Sequence, residues 1–279
     1  MKNVLIPTDF SNNAWNAISY TLNYFEKEHC NFYILHVNTI QNISTSEVPY
    51  LPTQSVIEES LKPAKKQLRL ILKRISEEFT DNKKHKFYTL TDYNFFIESI
   101  RKHVAEKKID LIVMGTKGAS GLKELIVGSN TGDVIKKVAC NTLVIPEKAT
   151  FSPLNEIAFP TDFSLSYSIE TLQPLYEIIE TTNSTLRILN INKNNTELNA
   201  DQQENKDLIE DYFSNQFHSF HFLTNRKVED AVQFFTESRN INMIAMVAKN
   251  LNYFQQILFH SKVEKISYHI EIPFLVLHE

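Results

Sequence analysis

The 279-residue chain has little glycine: five residues, where average usage of about 7% would supply roughly 20. Cysteine is scarcer still. Cys30 and Cys140 form neither a CxxC nor a metal-ligand spacing, which excludes a disulfide framework and a thiolate zinc site. Positive charge is not in excess, since 29 Lys and Arg stand against 33 Asp and Glu for a net charge of −4. Such a balance argues against a polybasic surface for nucleic acid or a membrane. No window approaches 18 uncharged apolar residues, and Val4-Leu5-Ile6 is too short for a secretory signal. The expectation is a cytoplasmic protein with no nucleic-acid and no membrane partner. At 42% hydrophobic residues the chain has material for about two globular domains.

All five glycines fall in one window, as Gly115, Gly118, Gly121, Gly128 and Gly132. A chain that dispenses with glycine elsewhere needs something there that glycine alone supplies: a positive φ, or close approach of the backbone to another group.

The chain also repeats itself. Val4-Leu5-Ile6-Pro7-Thr8-Asp9-Phe10-Ser11 returns as Ile157-Ala158-Phe159-Pro160-Thr161-Asp162-Phe163-Ser164 at an offset of 153. Asp110–Met114 returns as Asn242–Met246, and Leu143–Glu147 as Leu275–Glu279, both at an offset of 132. Constant order with a single loss of 21 residues means two copies of one unit, the second shortened around Thr39–Pro63. Thr150-Phe151-Ser152-Pro153 reads as the linker, giving domains 1–149 and 150–279.

Within the first copy, strand-length apolar runs alternate with helical periodicity. Strands are expected at Asn3–Pro7, Asn31–Val37, Lys86–Leu90, Leu111–Met114 and Thr142–Ile145, and helices at Ser11–Glu28, Gln54–Phe79, Asn94–Lys107 and Ser129–Ala139. The second copy places strands at Glu156–Phe159, Leu186–Ile191, Phe220–Leu223, Met243–Val247 and Phe274–Leu277. Parallel strands need crossover helices, so the fold class is α/β: two doubly wound, Rossmann-like domains, each with a five-stranded parallel-type sheet.

In such sheets ligands bind beyond the carboxyl ends of the strands, where the strand order reverses. Three segments of the first copy end there: Pro7-Thr8-Asp9, Val37-Asn38, and Met114-Gly115-Thr116-Lys117-Gly118. The last leads to Gly128-Ser129-Asn130-Thr131, which opens a helix. A helix N-terminus offers unpaired N–H groups and partial positive charge, so it suits phosphate. Lys117 adds charge, and the hydroxyls of Ser129 and Thr131 add donors.

Gly115-x2-Gly118-x9-Gly128-Ser129 resembles the G-x2-G-x9-G-(S/T) nucleotide-binding signature of the universal stress protein family. The flanking Val4–Ser11, Asp110–Gly115 and Leu143–Pro146 resemble that family's first and last strands. The resemblance covers the whole chain as a tandem pair. It implies ATP, or ADP or AMP, as cofactor, with Mg²⁺ accompanying ATP. Gly115, Gly118, Gly128 and Ser129 would wrap the phosphates, with Asn130 and Thr131 opening the helix beneath. Asp9 would lie near the ribose or a bound metal, and Val37 would hold adenine through its backbone. It further implies a nucleotide-dependent stress-response regulator or binding protein, and an intramolecular pseudo-dimer in which Thr142–Ile145 meets Phe274–Leu277. Further association into a homodimer stays open.

The second copy departs from the signature. Gly115, Gly118 and Gly128 become Val247, Asn250 and His260, while Ser129, Lys117 and Asp9 persist as Ser261, Lys249 and Asp162. Its ATP site is therefore expected to be lost. Asp9 has the plainer reading of a helix cap, and Lys117 that of a solvated charge. His218 and His221, three apart on a strand, point to opposite faces and make no metal site. His36 reads as a strand-end side chain, Cys140 as a packed thiol, and Phe95-Phe96 and Phe234-Phe235 as helix packing. No GxxxxGK[ST], HExxH or GxSxG motif is present, so no catalytic residue is assigned. The alternatives to a binding protein are slow ATP hydrolysis or nucleotidyl transfer at the same site, or a ligand-free scaffold.

Overall fold

The computed structural model describes residues 1–39, 53–79, 82–116, 128–192, 197–224, 227–249 and 271–279. The first half runs β1 (Lys2–Pro7), α1 (Asn12–Tyr24), β2 (Cys30–Thr39), α2 (Gln54–Glu78), β3 (His85–Asn94), α3 (Phe96–Lys107), β4 (Leu111–Gly115), α4 (Ser129–Lys137) and β5 (Thr142–Ile145). The second half runs β6 (Glu156–Pro160), α5 (Ile169–Thr182), β7 (Thr185–Asn192), α6 (Ala200–Tyr212), β8 (His218–Thr224), α7 (Val228–Ser238), β9 (Met243–Val247) and β10 (Phe274–Leu277).

The strands form one ten-stranded sheet in the order β3-β2-β1-β4-β5-β10-β9-β6-β7-β8. Neighbours are parallel within each half, and the halves join where β5 and β10 run antiparallel, with Leu143 opposite Leu275. The expected edge-to-edge contact is thus made inside the chain. His278 N–H donating to Asn141 Oδ1 (2.9 Å) adds to it.

Helices cover both faces, which is why the central strands are apolar on both sides. In β1, Val4 and Ile6 pack with Ile18, Leu68 and Ile75 of α1 and α2, while Leu5 faces Ile100 and Val134 of α3 and α4. Each such fully buried side chain contributes about 1.5–3 kcal/mol. The joint is buried on both faces by residues of both halves: Leu143 and Ile145 with Leu275 and Leu277, and Val144 and Ile135 with Phe274 and Val276.

α1 starts where Ser11 accepts the Ala14 N–H through its side chain, and it buries Ala14, Ile18 and Leu22. The shortening of the second half lies between its second and third strands, as expected. Much of it is taken from the helix itself, since α2 has 25 residues and α6 has 13. Residues 40–52, part of the longer first-half connection, lie outside the described residues. β3 runs on to Asn94, longer than expected, because Thr91, Asp92 and Asn94 carry no apolar signal although their backbones pair with β2. Both cysteines are buried, and burial pushes each thiol up to about 12, which leaves them unreactive. The aromatic pairs divide: Phe235 is in the core while Phe95 and Phe234 stand exposed, so only part of the helix-packing expectation holds. No helix among the described residues is long and apolar enough to cross a membrane.

Candidate functional site

The strand order of the first half reverses between β1 and β4, and the described residues among those predicted lie at the carboxyl ends of β1, β2 and β4 and at the start of α4. On leaving β1, the Thr8 N–H donates to Leu35 O (2.8 Å). The chain then turns through Phe10 at φ 67°, a left-handed conformation that costs a side-chain-bearing residue about 1–2 kcal/mol. Two bonds offset that cost: Phe10 N–H to Thr8 Oγ1 (3.1 Å) and Ser11 N–H to Asp9 Oδ1 (3.0 Å). His36 stacks on the Phe10 ring at 4.4 Å, and its Nδ1 lies 2.8 Å from Thr8 O. A carbonyl only accepts, so Nδ1 carries the proton.

The β4 side is tied to α4. Thr131 Oγ1 donates to Gly115 O (2.8 Å), the Gly128 N–H donates to Thr116 O, and the Thr116 N–H donates to Ile145 O (3.1 Å). Gly128 is the N-cap at φ −65° and ψ 160°, with no capping side chain and no acidic residue in the first turn. The first bond of the helix is Gly132 N–H to Gly128 O (2.9 Å), so the N–H groups of Ser129, Asn130 and Thr131 precede any intrahelical bonding. Ser129 and Asn130 are exposed there, whereas Thr131 is buried.

These observations correct two expectations. The Thr131 hydroxyl is committed to Gly115 O, so it fixes the helix to the strand rather than adding a ligand donor. Positive φ is not what Gly128 supplies, since its backbone is one that any residue adopts. Close approach is what Gly115 supplies: a Cβ there would lie 2.8 Å from the side chain of Asn13 on α1. Asn13 was missed in the sequence, although a polar residue beside Ala14, Ala17 and Ile18 on a buried helix face was the available signal. Lys117, Gly118 and Gly121 lie outside the described residues. Met114 is buried as a core side chain, and Pro7 ends β1. Val37 lies two residues beyond Leu35, so its backbone N–H and C=O face the same way, past the end of β1.

A family model described as the universal stress protein family matches residues 1–146. The chain belongs to that family. It is 29% identical over 147 residues to a universal stress protein of Methanocaldococcus jannaschii, covering 52% of this chain and 81% of that one. The crystal structure of a universal stress protein from Archaeoglobus fulgidus covers 98% of this chain and 97% of its own at TM-score 0.68 and 18% identity, so the fold of both halves recurs there together. A universal stress protein family structure from Arabidopsis thaliana with AMP bound covers 52% of this chain and 92% of its own, at 14% identity and TM-score 0.35.

The second half of this universal stress protein keeps the first turn and changes the rest. Phe163 repeats the left-handed conformation at φ 56°, the Phe163 N–H donates to Thr161 Oγ1 (3.0 Å), and the Ser164 N–H donates to Asp162 Oδ1 (3.0 Å). Asn190 takes the place of His36, donating to Thr161 O (3.1 Å). The recurrence shows Asp9 and Asp162 doing the same local work at a turn. Here, however, α6 reaches back: Gln202 Nε2 donates to Asp162 O (2.8 Å) and Asn205 Nδ2 to Phe163 O (2.9 Å). Val247, at the position of Gly115, is buried in the main core. Lys249 is paired with Glu279 at 2.9 Å. Asn250, His260 and Ser261 lie outside the described residues.

Proposed function

We propose that this chain is a tandem member of its family, with units at 1–149 and 150–279, that binds ATP in the first and acts as a nucleotide-dependent regulator. The observation that carries the reading is the start of α4. It is an uncapped helix N-terminus with no acidic residue in its first turn, fastened to the end of β4 beside the switch between β1 and β4. Such an N-terminus favours an anion through its N–H groups and dipole. The phosphates would rest on Ser129, Asn130 and Thr131, and the ribose would lie along Pro7, Thr8 and Asp9. Adenine would meet the Val37 backbone groups that face past β1, which accounts for an apolar side chain at that position. Gly115, Thr116, Lys117 and Gly118 would complete the phosphate-binding loop.

Mg²⁺ would enter with ATP, held through phosphate oxygens. Among the described residues no group of three His, Cys, Asp or Glu side chains could hold a metal by itself.

The test is thermal unfolding with ATP, ADP and AMP, with and without Mg²⁺. A ligand at 100 times its Kd stabilises the folded state by about 2.7 kcal/mol. An upward shift in Tm with ATP that Gly128→Val removes is the expected result. No shift with any adenine nucleotide would sink the reading and leave the scaffold alternative.

A further inference from the structure

The sheet ends in two edge strands of unlike chemistry. β3 carries Lys86 and Asp92, and Asp92 is engaged by His103 at 2.9 Å and Lys102 at 3.3 Å. β8, His218-Ser219-Phe220-His221-Phe222-Leu223-Thr224, contains no Asp, Glu, Lys or Arg. Among the described residues it has β7 on one side and no strand on the other. Unpaired edges in native proteins are normally blunted by charge, proline or a bulge, and an uncharged edge is open to another strand. Aromatic rings are exposed in this same region, with Phe217 at 69%, Phe222 at 53% and Phe234 on α7 at 67%.

The backbone fixes which groups face outward. Phe217 O accepts the Leu186 N–H of β7 (2.8 Å), so the odd-numbered residues direct their backbone groups to β7. His218, Phe220 and Phe222 therefore turn their N–H and C=O groups away from the sheet.

We propose that β8 joins β8 of a second copy of this chain, antiparallel, across a two-fold axis at His221. Outward-facing residues must meet outward-facing residues in the hydrogen-bonded pairs of an antiparallel ladder. Centring the axis on His221 meets that condition and sets Phe220 opposite Phe222 of the partner subunit, twice. The segment fits itself: aromatic meets aromatic, and no charge meets a like charge. The same sheet already contains one joint of this type, where β5 and β10 pair antiparallel over a few residues. A two-fold contact between identical strands also closes, giving a dimer rather than a fibre. Nothing in the inference depends on nucleotide binding.

The register makes a sharp test possible. His221 would face its own copy in a non-hydrogen-bonded pair, with Cα atoms about 4.5 Å apart, inside the range of about 4.4–6.8 Å that a disulfide spans. Light scattering on the full chain should report a dimer, and Phe222→Lys should convert it to a monomer whose circular dichroism spectrum matches wild type. His221→Cys should give a reducible covalent dimer under mild oxidation, whereas Ser219→Cys, which faces Leu223 in this register, should give none. Cys30 and Cys140 are buried and add no background. A monomeric wild type would overturn the proposal. So would a dimer that survives Phe222→Lys and that His221→Cys does not cross-link.

Discussion

The two halves of this protein build the same turn from the same residue types and then part ways. In both, a Thr hydroxyl and an Asp carboxylate hold a phenylalanine in the left-handed region after the first strand. In the first half the adjacent strand ends in Gly115, which lets Asn13 of α1 pack against the backbone. In the second half Val247 fills that position with core, and the shorter α6 ties the turn's carbonyls through Gln202 and Asn205. The turn is thus a structural fitting common to both units, while the units differ at the strand end and in the neighbouring helix.

Substitutions can break this comparison, and the largest effect is expected at the filled position. Val247→Gly leaves a void in a buried strand and should cost about 2–4 kcal/mol in chemical unfolding, yet it should add no ATP site, because α6 still holds the turn. A second site appearing in that variant would show that the valine alone accounts for the loss of binding there. Next comes Gly128→Val. Its backbone suits valine, so circular dichroism should match wild type, while ATP affinity should fall about 100-fold, or about 2.8 kcal/mol. An unchanged titration would remove α4 from the site. Gln202→Ala and Asn205→Ala should each cost about 1 kcal/mol, read by thermal unfolding.

The smallest effect is one of pH, and both halves share it. Burial pulls His103 below its ordinary range, with Asp92 opposing, and burial does the same to His278. A histidine with a depressed folded pKa leaves the unfolded chain binding more protons just below pH ~6.5. Stability should therefore decline as pH falls through that point. Melting curves at pH 7.5 and 5.5 should show a Tm lower by a few degrees at the acid end, and a higher Tm there would contradict this assignment.

Much of the fold was legible because buried parallel strands read as short apolar runs, and Thr142–Ile145, Met243–Val247 and Phe274–Leu277 were bounded correctly from pattern alone. The edge strand β3 was cut short because Thr91, Asp92 and Asn94 at its end carry no apolar signal. At the candidate site, the glycine spacing marked the end of β4 and the start of α4. What it did not disclose were contacts between distant segments. Neither the Thr131 bond to Gly115 O nor the reach of Gln202 and Asn205 to another loop has a local signature. The role of Gly115 depends on Asn13, about a hundred residues earlier in the chain, so spacing identified the residue but not its neighbour.

The proposal that only the first half binds nucleotide is a statement about stoichiometry, and calorimetric titration of the full chain with ATP and Mg²⁺ tests it directly. The account predicts one site per chain, weakened about 100-fold in Gly128→Val. Two sites per chain, or one site of unchanged affinity in that variant, would contradict it.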